Sequence, residues 1–187
     1  MAPLLQASTV INGCNYSTVY LMKILRYPDP GLSTRCTPVT VFDDGLSAFA
    51  ADLLATMRTA PGVGITAAHV GTFVRLFVLD LPDWPQPLYY VNPVILEASV
   101  ETIRHMEGSV SMPGATEEVE RPRRIRFSYQ DIQGLSHETE AQDFHAVCIQ
   151  HEIDQLDGIF WLKRLSRLKR ERLVRRWEKE ELRRAIG

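Results

Sequence analysis

From about Glu140 to Leu156 the sequence reads as a helix apolar on most sides, with Phe144, Ala146, Val147, Cys148, Ile149, Ile153 and Leu156 spread around it. A helix without a polar face belongs inside a protein. Its second half nevertheless carries Gln150-His151-Glu152-Ile153-Asp154-Gln155, and buried His, Glu and Asp require partners. The remaining chain must wrap one central helix and supply polar groups to it. Residues 151 and 155 lie one turn apart on one face, with Glu152 beside them. Zinc sites of the His-Glu-x-x-His type use that spacing for two imidazoles and a general base. Here the second position is Gln155, so half the pattern is present. Asp157-Gly158 supplies the helix stop.

A chain of 187 residues with 45% apolar and 24% charged residues suits one globular domain, with no disorder signature. No apolar run reaches the roughly 20 residues of a membrane-spanning helix, so no membrane role is expected. Three widely spaced cysteines, Cys14, Cys36 and Cys148, argue against a disulfide framework and for a reducing, cytoplasmic setting. No charge occurs before Lys23, which is unlike a secretory signal. Residues 1–22 read either as a flexible N-terminal segment or as sequence upstream of a start at Met22.

Charge is unevenly spread. Residues 1–162 hold 10 Lys and Arg against 19 Asp and Glu, whereas residues 163–187 hold 11 against 4. The basic end reads as a helix over 166–187, with Leu165, Leu168, Leu173, Val174 and Trp177 on one edge and Glu171–Arg175 and Glu180–Arg184 as supporting pairs. Two roles fit it: a solvated helix packed by its apolar edge, or a basic arm docking on RNA or another polyanion.

Ile24 to Val39, with Pro28, Pro30 and Pro38, reads as an extended lead-in. Asp43 or Asp44 then caps a helix in which Leu46, Phe49, Ala50, Leu53, Leu54 and Met57 form one stripe, ending at Ala60-Pro61-Gly62. Val74–Asp80 reads as a buried strand, Leu88–Val91 and Val94–Glu97 as two shorter ones, and Ile125–Gln130 as a half-buried strand. His105, His137 and His145 read as surface or ordinary core residues, and Cys148 as a small core group. Met106 and Met112 either line a pocket or simply pack.

Two further segments join the helix motif: Gly62-Val63-Gly64-Ile65-Thr66-Ala67-Ala68-His69 and Glu107-Gly108-Ser109-Val110-Ser111. With Gln150 to Gly158, they resemble in order and spacing the three motifs of the peptide deformylases, Gly-x-Gly-x-Ala-Ala-x-Gln, Glu-Gly-Cys-x-Ser and Gln-His-Glu-x-Asp-His-x-x-Gly. The similarity runs from Lys23 to Ser166 and includes Asn92-Pro93, Arg121-Pro122 and Tyr129-Gln130-Asp131. The resemblance implies an α+β fold, with antiparallel sheets around the central motif-bearing helix and the family domain over 23–165. It also implies metal-dependent removal of the formyl group from the N-terminal methionine of new proteins.

The resemblance places the family's metal ligands, for Fe or Zn, at Ser109, His151 and Gln155. The proton-shuttling carboxylate falls at Glu152 and the oxyanion positions at His69 and the Val110 N–H. Gly64 lies in the first motif. A hydroxyl and an amide in place of a thiolate and an imidazole are poor ligands for such an ion, so no metal at full occupancy is expected. The expectation is a deformylase-like protein of weak or absent activity that still binds methionyl or N-formylmethionyl peptides. Alternatives are an active enzyme with unusual ligands and a non-enzymatic protein that meets the ribosome through its C-terminal helix. A rebuilt metal site from His69, His151 and Glu107 or Glu152, or a Ser109 nucleophile with His69 or His151 as base, are further expectations to be tested against geometry.

Overall fold

The computed structural model describes residues 6–7, 20–60 and 62–186. The reading of residues 1–22 as flexible falls mostly outside these, as do Cys14 and Pro61. Within that segment, Gln6–Ala7 (β1) and Tyr20–Leu21 (β2) form a short antiparallel pair.

Asp44–Thr59 forms α1, and the Asp43 carboxylate caps it by accepting from the Leu46 N–H at 2.9 Å. The predicted stripe buries Ala50, Leu53, Leu54 and Met57 against Ile65, Leu76, Val78 and Val91. The strands that follow are Gly64–Thr66 (β3), Leu76–Leu79 (β4), Leu88–Ala98 (β5), Thr102–Gly108 (β6), Thr116–Pro122 (β7), Arg124–Gln130 (β8) and Ser136–Gln142 (β9). They make a five-stranded antiparallel sheet in the order β3-β4-β5-β8-β9 and a separate β6-β7 hairpin. The fold is α+β, as expected.

Asp143–Leu156 forms α2 between the sheet and the hairpin. Its Ala146, Ile149, Ile153 and Leu156 pack on Phe77, Leu79, Tyr90 and Phe127 of the sheet. Gly158, at φ 74°, ends the helix in the left-handed region, and a Cβ there would stand 2.6 Å from the Ser33 carbonyl oxygen.

Several expectations are corrected. The helix begins at Asp143, not near Glu140, because Ser136–Gln142 pairs with β8. The two short strands predicted over 88–97 are one strand, β5, bulged between Val91 and Val94. Asn92 sits there at φ 52°, held by side-chain hydrogen bonds to both backbone groups of Val39 and to Gln130. A bulge is where a strand tolerates the following proline. The extended lead-in contains one 3₁₀ turn, Pro30–Ser33.

Arg167–Ile186 forms α3. Leu165, Leu173 and Trp177 pack with Met112, Ala115, Phe160 and Trp161, and the Trp177 indole N–H donates to the Pro113 carbonyl at 3.0 Å. The helix is therefore docked by an apolar edge, although Leu168, predicted within that edge, is exposed. Arg184 pairs with Glu181, not Glu180, and the Glu171–Arg175 pair is loose at 4.0 Å. Among the described residues no helix is long and apolar enough to cross a membrane.

Candidate functional site

The three motif segments meet at one cavity of about 720 Å³, within the usual range for a small-molecule or peptide-end pocket. α2 contributes Cys148, His151 and Glu152, β3 contributes Gly64, the turn after β3 contributes His69, and the end of β6 with its following loop contributes Glu107, Ser109 and Val110. Met106, Phe144 and His105 also line it. Cys148 thus borders the cavity as well as the core, and Met112 is a core residue with no part in the lining. His105, read as an ordinary histidine, lies against the Phe144 ring at 4.7 Å between centroids.

Glu152 is 5% exposed, and its Oε2 has no hydrogen-bond partner among the described residues. Burial pushes its carboxyl up to about 7, with the negative charge of Glu107 adding to the effect and His151 opposing it. Gly64 makes room for it: a Cβ there would lie 2.5 Å from Glu152 Oε1 and 2.6 Å from Leu79 Cδ2. Both neighbours are tightly packed, so Gly64→Ala is expected to destabilise the fold by about 1–3 kcal/mol, read as a lowered denaturation midpoint in urea. An unchanged midpoint would show that Glu152 moves aside freely.

His151 is anchored from behind. Its Nδ1 lies 2.8 Å from Glu107 Oε2, and Glu107 is gripped by Arg121 through Nε at 2.5 Å and Nη2 at 2.9 Å. Arg121 is 3% exposed and also donates to Asp154, which pairs in turn with Arg164. Burial alone would push the Glu107 carboxyl up, but Arg121 and His151 hold it at about 2. Burial works against a charged His151, yet the hydrogen bond it donates to Glu107 and the charges of Glu152 and Glu107 raise its pKa. The Arg121 hub is the feature sequence reading missed. Its signal was the presence of Glu107 and Asp154 in segments too buried for solvated acids.

His69 is buried and wired in one direction. The Thr66 backbone N–H donates to its Nδ1 at 3.1 Å, with the Thr66 hydroxyl at 2.8 Å. Its Nε2 lies 3.3 Å from Ser109 Oγ. Burial, with repulsion from His151, pushes its pKa down to about 3. A backbone N–H can only donate, so Nδ1 accepts and the ring proton sits on Nε2. His69 therefore cannot take a proton from Ser109, and the dyad reading with His69 as base is withdrawn. His69 holds Ser109 in place.

Gln155 departs furthest from expectation. It is 2% exposed, takes no part in lining the cavity, and donates its amide to the Leu32 carbonyl at 2.8 Å. Among the described residues no three His, Cys, Asp or Glu side chains form a group able to hold a metal ion, which removes the rebuilt site of His69, His151 and a carboxylate. Val110 lines the cavity, and its N–H meets no protein acceptor among the described residues.

The profile of the family described as "Polypeptide deformylase" matches residues 21–171. The chain belongs to the peptide deformylase family. Its relatives include a "Peptide deformylase-like" protein of Agrobacterium fabrum, 62% identical over 156 residues that cover 83% of this chain and 94% of the relative. A "Peptide deformylase" of Phenylobacterium zucineum is 43% identical over 162 residues, covering 85% and 96%. Among solved structures, a peptide deformylase from Legionella pneumophila superposes with a TM-score of 0.83 at 33% identity, covering 89% of this chain and 99% of that one. The family is one of hydrolases, and its fold is the one described above.

Proposed function

We propose that this member of the family keeps the peptide-binding cavity but has weak or absent hydrolytic activity. The side chain of Gln155 carries the reading. The family's metal requires donors at Ser109, His151 and Gln155, and Gln155 lies outside the cavity lining, with its amide N–H held by the Leu32 carbonyl. Ser109 is a neutral hydroxyl already bonded to His69 and to the Ser111 N–H. The donor set left is one imidazole, which does not fit a divalent ion that takes three or four protein ligands.

Glu152 then faces bulk water of pKa near 15.7, against ~7 for water on catalytic zinc. A lone general base supplies only ~10² to 10⁴ in rate and does not bridge that gap. Metal analysis with a deformylation assay on an N-formylmethionyl peptide tests the reading. Expected are metal far below one ion per chain and no turnover above background. Stoichiometric metal with turnover would instead make this an active enzyme with unusual ligands. The buried, unpaired Cys36 and Cys148 suit a reducing cytoplasm.

α3 supports a second role, contact with the ribosome or another polyanion. Arg172, Arg176, Lys179 and Arg183 are exposed and form no ion pair among the described residues, and clustered cations release counterions from phosphates. Ribosome binding is expected to weaken with salt. Arg172→Glu/Arg176→Glu/Lys179→Glu should flatten the plot of log affinity against log salt by about 2, since each phosphate contact contributes ~0.7–0.9. Salt-independent binding would remove the electrostatic basis.

A further inference from the structure

We infer that Arg26 receives a carboxylate from the chain bound in the cavity, so that peptides with acidic residues directly after the first are preferred to peptides with basic ones. The inference rests on the peptide-binding reading above and adds a sequence preference to it. Arg26 lies outside the three motif segments, on the lead-in to the fold, and the lead-in there alternates. Leu25 and Tyr27 pack on the core cluster that contains Phe160 and Trp177, while Met22, Ile24 and Arg26 line the cavity. The alternation is pinned on both sides of Arg26. The Leu25 N–H donates to the His69 carbonyl at 2.7 Å, and the Tyr27 N–H donates to the Ser111 carbonyl at 2.9 Å. The guanidinium is therefore carried by a fixed backbone beside two of the motif segments.

Its charge has no protein partner. Residues 1–162 hold 10 Lys and Arg against 19 Asp and Glu. In so acidic a body most cations are taken: Arg58, Arg75, Arg104, Arg121, Arg123 and Arg126 each pair with a carboxylate. Arg26 is exposed, and its side chain makes no hydrogen bond or ion pair among the described residues. Among those residues it is also the one Lys or Arg that lines the cavity. The acids of the lining, Glu107 and Glu152, are buried, and neither pairs with Arg26; Glu107 is held by Arg121. A second guanidinium adds positive charge nearby. Gly114 lines the cavity, and Arg184 Nη2 lies 3.3 Å from where a Cβ on Gly114 would stand. Arg184 keeps Glu181 as a partner, which leaves Arg26 as the receiving group. A ligand carboxylate gains a guanidinium that has no protein partner to give up, and a ligand ammonium meets like charge.

The test titrates the metal-stripped full chain by calorimetry with N-formyl-Met-Glu-Glu-amide, N-formyl-Met-Gln-Gln-amide and N-formyl-Met-Lys-Lys-amide. The chain end is the same in all three, and the amide removes the terminal carboxylate that Arg26 would otherwise take. The Glu peptide is expected to bind roughly three- to fivefold tighter than the Gln peptide, the worth of a good exposed ion pair, with the Lys peptide weakest. Arg26→Gln should bring the three to within about twofold of one another. Arg26→Glu should reverse their order, and Arg26→Lys, which keeps the charge, should retain it. Salt raised to about 0.5 M should shrink the wild-type preference, because exposed pairs are screened. Equal affinities in the wild type, or an acidic preference that survives in Arg26→Gln, would overturn the inference, while binding of the Gln peptide would leave the peptide-binding reading standing. Failure of all three peptides to bind the wild type would overturn both.

Discussion

Ser109→Cys combined with Gln155→His is expected to give a chain that holds about one divalent ion, where the wild type is expected to hold little. The thiolate supplies the soft, charged donor that the hydroxyl lacks. The imidazole leaves the Leu32 carbonyl to which the Gln155 amide is tied, and joins His151 one turn away on the same helix. Three protein ligands of that kind make a zinc site with one open position, and such a site binds with an apparent free energy of order 10 kcal/mol at neutral pH. Either substitution alone gives two ligands, and each single variant should retain only a small fraction of the double variant's metal after dialysis against chelator. Mass spectrometry of the bound metal reads the result directly. The double variant should also melt higher when metal is added, because an ion that binds only the folded state stabilises it by mass action. A double variant that takes up no metal would show that ligand identity at these two positions does not govern metal binding. Deformylation in the double variant, absent in the wild type, would further show that Glu152 is still placed for its family role.

The elements that could be read in the sequence are those whose apolar residues repeat within one segment. α1 announced itself by the spacing from Leu46 to Met57 and by Asp43 before it, and α2 by its lack of any polar face. The β6-β7 hairpin and β9 were not legible. Strands reading Thr-Ile-Arg-His-Met-Glu-Gly, Thr-Glu-Glu-Val-Glu-Arg-Pro and Ser-His-Glu-Thr-Glu-Ala-Gln bury one or two side chains each, so period two is masked by charge. The same charge drew the start of α2 too early.

The motif residues His151, Glu152, His69, Ser109, Val110 and Gly64 do meet around one cavity. Their wiring was invisible beforehand because it joins distant segments. Gln155 bonds a carbonyl 123 residues away, and Arg121 meets carboxylates 14 and 33 residues from it. Periodicity and capping act over one or two turns and carry no information at those separations.

Arg121→Met is expected to cost about 3–5 kcal/mol at pH 7, the usual penalty for removing one partner of a buried ion pair. The guanidinium is 3% exposed and spans Glu107 and Asp154. Asp154 keeps Arg164 as a partner, whereas Glu107 is left with His151 alone. Set against a total stability of roughly 5–15 kcal/mol, the loss brings the variant close to unfolding. Arg121→Lys should rescue little, since an ammonium cannot reproduce a planar fork that bonds two carboxylates at once.

The pH dependence follows from the sign of the Glu107 shift. In the wild type its carboxyl is held at about 2, below the ordinary value of 4.5. It therefore contributes stability that is present above pH 4.5 and lost as pH falls through about 2. In the variant burial loses its main opponent and the carboxyl moves up, so the folded state becomes costlier as pH rises above 4.5. The gap between the two proteins should widen between pH 4 and pH 7 in urea unfolding. A gap below 1 kcal/mol at pH 7, or one that does not narrow at pH 4, would mean that Arg121 does not hold Glu107. The anchor behind His151, and with it the shape of the cavity wall, would then need another source.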